Sequence, residues 1–106
     1  MRLKSHVTAS ALLRRADAAG LFATVVHKGD PDGGLVWVKV REGDEAALWA
    51  ERYGTDGAGG GFAPRTEGFV PEAEADEVVR KEREFDRDLW LLEVEGAGGE
   101  ALVTEG

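Results

Sequence analysis

The chain of 106 residues contains no cysteine, a single methionine, three prolines and two histidines. Without thiols it has no disulfide framework, no thiolate nucleophile and no cysteine-containing zinc site. His6 and His27 are its only imidazoles, which narrows the general-base chemistry open to it near neutral pH. Residues 1–15 lack the continuous apolar run of a signal peptide, and no window reaches roughly 18 consecutive apolar residues. The expectation is a cytoplasmic protein with no membrane partner.

A basic stripe is also missing. Residues 1–66 hold nine Lys/Arg against eight Asp/Glu, whereas residues 67–106 hold four against thirteen, which together give the net charge of −8. The basic clusters are Arg2/Lys4, Arg14/Arg15 and Arg80/Lys81/Arg83. Each suffices for one phosphate group, and none lines up along a groove. Affinity for nucleic acid rests on neutralising phosphates with Lys and Arg, so direct duplex binding is not expected.

What is present suffices for one hydrophobic core. At 11.4 kDa, surface scaling gives a folded area of roughly 5,800 Å² against roughly 16,500 Å² unfolded. With 42% apolar residues and three tryptophans, residues 1–106 read as a single globular domain.

The first helix is expected from Ser5 or Thr8, either of which is a capping residue, to about Ala19. Gly20 is the expected stop. Strands follow over Leu21–Lys28 and Leu35–Arg41, joined by the turn-rich Gly29-Asp30-Pro31-Asp32-Gly33-Gly34. In the second strand Val36, Val38 and Val40 line one face, and Leu35, Trp37, Lys39 and Arg41 the other. Ala46–Tyr53 reads as a third strand, although its alanines are also compatible with helix, and short connections make the three strands an antiparallel meander. Residues 54–61 carry five glycines in eight positions and read as a flexible loop. Phe62–Thr66 is the candidate for an optional short fourth strand.

The second helix begins at Pro71 and ends near Phe85, with acids at its start and Arg80, Lys81 and Arg83 at its end. Asp76–Arg80 and Glu77–Lys81 have the four-residue spacing of helical ion pairs. Leu89–Glu95 is the last strand, apolar on both faces near its start and therefore covered on both sides. Residues 96–106 read as a loose tail. The expected fold is α/β, in the order α-β-β-β-(β)-α-β. It has one mixed sheet of four or five strands with a helix on each face.

Two segments carry a family resemblance. Met1-Arg2-Leu3-Lys4-Ser5 followed by Ser10-Ala11-Leu12-Leu13-Arg14-Arg15 is one, and Arg83-Glu84-Phe85-Asp86-Arg87-Asp88-Leu89-Trp90 is the other. Together they resemble a small bacterial family known as domain of unknown function 1491. The order of helix, strands, charged helix and final strand also fits. The resemblance implies an α/β architecture over most of the chain and no established activity.

Several groups are candidates for chemistry. Asp86 and Asp88 follow a helix C-terminus, where negative charge is unfavourable and needs compensation. An Asx-type turn with an ion pair to Arg87, Arg14 or Arg15 supplies it. The alternative is a polar pocket in which Arg14 and Arg15, with Asp86 and Asp88, grip a carboxylate or phosphate ligand. His27 lies near Asp30 and Asp32, but no serine or threonine has the spacing of a nucleophile. Asp30-Pro31-Asp32 lacks the later ligands of a calcium loop. Gly57–Gly61 lacks the Lys-Ser/Thr pair of a phosphate loop. Trp90 is expected in the core. Trp37 is either buried beneath a helix or, with Arg41, an interface anchor.

No cofactor and no metal are implied. The reading that follows is a non-enzymatic accessory or protein-interaction module that binds an unknown protein partner or associates with itself as a homodimer. The alternative is a binder of a small anionic ligand, or a minor enzyme, using Arg14/Arg15 with Asp86/Asp88.

Overall fold

The computed structural model describes residues 4–52 and 61–104. Its elements are α1 (Ser5–Ala18), β1 (Phe22–His27), β2 (Val36–Glu42), β3 (Glu45–Glu51), β4 (Phe62–Pro64), β5 (Val70–Pro71), α2 (Glu72–Phe85), β6 (Trp90–Glu95) and α3 (Ala101–Thr104). The six strands form one mixed sheet in the order β1-β6-β2-β3-β4, with β5 also pairing with β3. The α/β class and the helix-to-strand order agree with the sequence. The short β5 and α3 are additional. The expected glycine-rich loop over residues 54–61 lies outside the described residues except for Gly61.

α1 ends where glycine predicts. Gly20 has φ +76°, Leu21 N donates to Ala16 O at 2.9 Å and Gly20 N to Asp17 O at 3.0 Å. These are the two hydrogen bonds of a Schellman motif, which satisfy carbonyls that the helix itself leaves open. Neither expected N-cap is used. Lys4 occupies the cap position without a side-chain bond, and the Ser5 hydroxyl donates instead to the Gly34 carbonyl. Ala9, Leu12 and Ala16, spaced for one helical face, pack on the sheet.

The meander is half right. β2 and β3 form an antiparallel hairpin through Gly43-Asp44, but β6 lies between β1 and β2, parallel to β2 and antiparallel to β1. The connection from β1 to β2 therefore crosses over the start of β6. Gly29 and Gly34 make that crossing feasible, because a Cβ on either would fall within 2.0 Å of the Asp88 carbonyl oxygen. Hydrogen bonds then fasten the crossing: Asp30 N to Asp88 O at 3.0 Å, Trp90 N to Leu35 O at 2.8 Å, and Trp90 Nε1 to Asp30 O at 2.8 Å.

Because β6 is central, both its faces are buried. Trp90, Leu92 and Val94 join Val36, Val38 and Val40 beneath α1, while Leu89 and Leu91 join Trp37, Leu48, Ala75 and Val79 beneath α2. α1 thus lies on one face of the sheet and α2 on the other. The C-terminal segment, expected as a loose tail, folds back at Gly96–Gly99 into α3 and buries Leu102 and Val103 in the α1-side core. Burying these two side chains contributes about 1.5–3 kcal/mol each, which offsets the entropy of ordering so short a segment.

Candidate functional site

On the α2 side, alternation along the strands lays polar residues in two rows. Thr24, Glu93 and Lys39 are cross-strand neighbours in one row, and Phe22, Glu95 and Arg41 in the next. α2 runs over β2 and β3 with its N-terminus above these rows, so Glu72 and Asp76 descend onto them. Lys39 Nζ lies 2.7 Å from Glu72 Oε2, 2.7 Å from Asp76 Oδ1 and 3.4 Å from Glu93 Oε1. Its side chain is only 6% exposed. Arg41 extends the network to Glu72, Glu93 and Glu95 at 3.7, 3.6 and 3.4 Å.

Burial alone pulls the Lys39 pKa down. The hydrogen bonds to Asp76 and Glu72 and the charges of Asp76 and Glu93 outweigh that effect and raise it above the ordinary lysine value. The same hydrogen bond and charge hold the Glu72 carboxyl below the usual range. The four acids outnumber the two bases, so this end of the face is acidic. The expected Asp76–Arg80 pair does not form, because Asp76 is drawn to the buried ammonium. Arg80 instead bonds Glu77 and Glu84, each at 2.6 Å.

Further along α2 the charge reverses. Val26, His27, Val79, Arg80, Arg83 and Leu91 surround an open cavity of about 320 Å³ that reaches back to Lys39 and Glu93. Arg83 Nη1 donates to His27 Nε2 at 3.3 Å. Burial, and then the Arg83 charge, lower the His27 pKa, which favours the neutral ring that this bond requires. Arg80, Arg83, Glu84 and Arg87 line an adjoining hollow. The cavity exists because α2 covers only part of the sheet. On the β1 side of this face Phe22 is 73% exposed and Val26 43% exposed.

Of the residues singled out from sequence, Arg41 and His27 belong to this face and Trp37 lies beneath it, while the others fall elsewhere. Arg14 and Arg15 are exposed on α1, on the opposite face of the sheet from α2. Among the described residues no ion pair links them to Asp86 or Asp88. Asp86 Oδ1 accepts the Asp88 backbone N–H at 3.0 Å, as the Asx-turn reading expects. Trp37 is 2% exposed beneath α2, with the Arg65 guanidinium 4.7 Å from its ring centroid. That burial matches the first of its two readings and leaves no indole surface for a partner. Arg41 is half-buried in the charged network. His27 turns to Arg83, and Asp30 Oδ1 accepts the Asp32 N–H at 2.9 Å, so no His–Asp dyad forms here. Among the described residues no group of three or more His, Asp or Glu side chains is arranged to hold a metal ion.

Lys39, Glu72, Asp76 and Glu93 were not legible as a group, although one signal existed. A lysine midway along the strongest strand, on the same face as Trp37, needs an acidic partner if a helix covers that face.

Comparison with known proteins gives a family but no activity. The family described as "Protein of unknown function (DUF1491)" matches residues 3–104. Among solved structures, the chain is similar to protein Atu0922 from A. tumefaciens, known from a solution structure. That likeness has 34% identity, a TM-score of 0.84, and coverage of 98% of this chain and 94% of that one. The crystal structure of a DUF1491 family protein from Caulobacter crescentus CB15 matches at 29% identity and a TM-score of 0.81, covering 98% and 96%. An NMR structure of a DUF1491 family protein from the same organism matches at 31% identity and a TM-score of 0.80, covering 98% and 94%. No curated protein matches. Among the described residues no helix is long and apolar enough to cross a membrane.

Proposed function

We propose, for a chain that belongs to the family described as protein of unknown function (DUF1491), that it acts as a non-enzymatic protein-interaction module. Its contact surface is β1 together with the uncovered strip of sheet beside it. One observation carries this reading: an outer strand that pairs on one side with β6 bears Phe22 at 73% exposure. An exposed aromatic on an outer strand offers both backbone hydrogen bonds and an apolar anchor to an incoming segment. The two histidines favour a binding role over catalysis. His6 Nδ1 bonds the Pro31 carbonyl and His27 Nε2 bonds Arg83, so each imidazole has one ring nitrogen engaged in a structural contact.

A photo-crosslinking residue placed at position 22 tests the reading, with position 85 as the control, because Phe85 is 88% exposed but lies on α2. The expected result in cells is a discrete protein adduct from position 22 and none from position 85. Equal or absent labelling at the two positions removes the reading.

A second reading rests on the cavity beside Arg83. Its basic wall suits a small anion, which makes a small anionic ligand the alternative occupant of this chain. Phosphate and simple dicarboxylates should then raise the thermal midpoint, and Arg83→Gln should abolish the rise. No shift with any of them discards this alternative.

A further inference from the structure

We infer that two copies of this chain pair through β1, antiparallel about a two-fold axis, so that the two sheets become one; this rests on the interaction reading and names its partner.

Residues 21–26 contain no charged side chain, in a chain where 32% of residues are charged and the net charge is −8. Two such bodies repel over most of their surfaces, and an uncharged strand is where they meet without setting like charges opposite one another. Edge strands are ordinarily protected by lysine, by proline or by shortness. The opposite edge is protected in that manner, since β4 has three residues and ends in Pro64. β1 has six residues, Phe-Ala-Thr-Val-Val-His, with no proline or lysine. Its one irregularity, the register shift between Val25 and His27 in the pairing with β6, lies toward the far end of the strand.

The direction of pairing follows from the two ends of the face. Phe22 lies opposite Glu95, at the acidic end, whereas His27 lies opposite Leu91 and touches Arg83, at the basic end. An antiparallel two-fold sets the Phe22 end of one copy beside the His27 end of the other. Acid then faces base twice over, and exposed Phe22 approaches exposed Val26 of the second copy. Aromatic and β-branched neighbours are among the favourable cross-strand pairs. Because the β4 edge is blocked, the assembly closes at two copies and does not extend into a fibre.

Thr24 sits mid-strand, so the two-fold brings both copies of it close together. By sedimentation or light scattering, the wild-type mass should rise to twice 11.4 kDa as concentration increases. Thr24→Lys and Thr24→Glu should each remain at the single-chain mass, and mixing the two should restore the doubled mass. Phe85→Lys, an exposed change on α2, should leave the doubling intact. The restored mixture guards against a variant that has merely misfolded. Wild type that stays at the single-chain mass up to millimolar concentration overturns the inference, as does a Thr24→Lys variant that doubles like wild type. If position 22 then crosslinks to a different protein, self-pairing falls while the interaction reading stands. If position 22 captures nothing, both fall.

Discussion

A methyl group placed on Gly34 would sit 1.8 Å from the carbonyl oxygen of Asp88, so the β1–β2 connection lies directly on the entrance to β6. Neither neighbour is free to move, because Trp90 N–H bonds Leu35 O and Asp30 N–H bonds Asp88 O on either side of the contact. Gly34→Ala is therefore expected to cost about 3 kcal/mol or more, at the upper end for overpacking. Gly33→Ala is the control, since its Cβ would meet nothing closer than Asp30 Oδ2 at 3.8 Å. Urea denaturation should show a large fall in midpoint for the first and little change for the second.

Lys39 sets its single positive charge against three carboxylates from a position closed to water. Lys39→Ala removes the cation and leaves Glu72, Asp76 and Glu93 facing one another. The expected loss is about 2–3 kcal/mol, below that for breaking a fully buried pair because the acids reach solvent. Asp76→Asn should cost less than about 1 kcal/mol, since Asp76 is 55% exposed. Chemical denaturation of the two variants checks the order.

The same network contributes at both ends of the pH profile. The folded Lys39 pKa is raised, so its contribution is complete below the ordinary value of 10.5 and is lost as pH climbs through the folded value. The folded Glu72 pKa is lowered, so its contribution is complete above the ordinary 4.5 and is lost as pH falls through the folded value. Thermal midpoints measured across pH should fall at both extremes. Lys39→Met should flatten the alkaline fall and Glu72→Gln the acid one.

His27 adds a weaker step between these limits. Its pKa is lowered in the fold, by burial and then by Arg83, so its contribution is complete above the ordinary 6.5 and declines below it. An NMR titration should place the His27 midpoint below 6.5, and Arg83→Gln should move it upward. An unchanged midpoint in that variant removes Arg83 as a cause.

Local features were legible. The extent of α1 and its glycine stop, the acid-to-base run of α2, the β2–β3 hairpin, and the two faces of Val36–Val40 all follow from residues close in sequence. The C-terminal helix was not, because four residues carry no helical period and α3 is ordered by what it buries. Arg14/Arg15 and Asp86/Asp88 looked like one site because two matched motifs contain them. Arg14 and Arg15 lie on α1, on one face of the sheet, whereas Asp86 and Asp88 follow the end of α2, which packs on the other, and motif matching says nothing about which face each helix covers.

Periodicity, caps and charge order, which act over a few residues, determined from the chain alone that this is an α/β protein with a mixed sheet, a leading helix and a later charged one. The placement of β6 between β1 and β2 was decided by tertiary structure. It depends on backbone contact between residues 29–34 and Asp88, more than fifty positions apart. That placement makes β1 an outer strand, exposes Phe22 and sets Glu93 beside Lys39. Sequence supplies each of those side chains, but only the strand order brings them to one face, since pairing partners are chosen by long-range burial and hydrogen bonding.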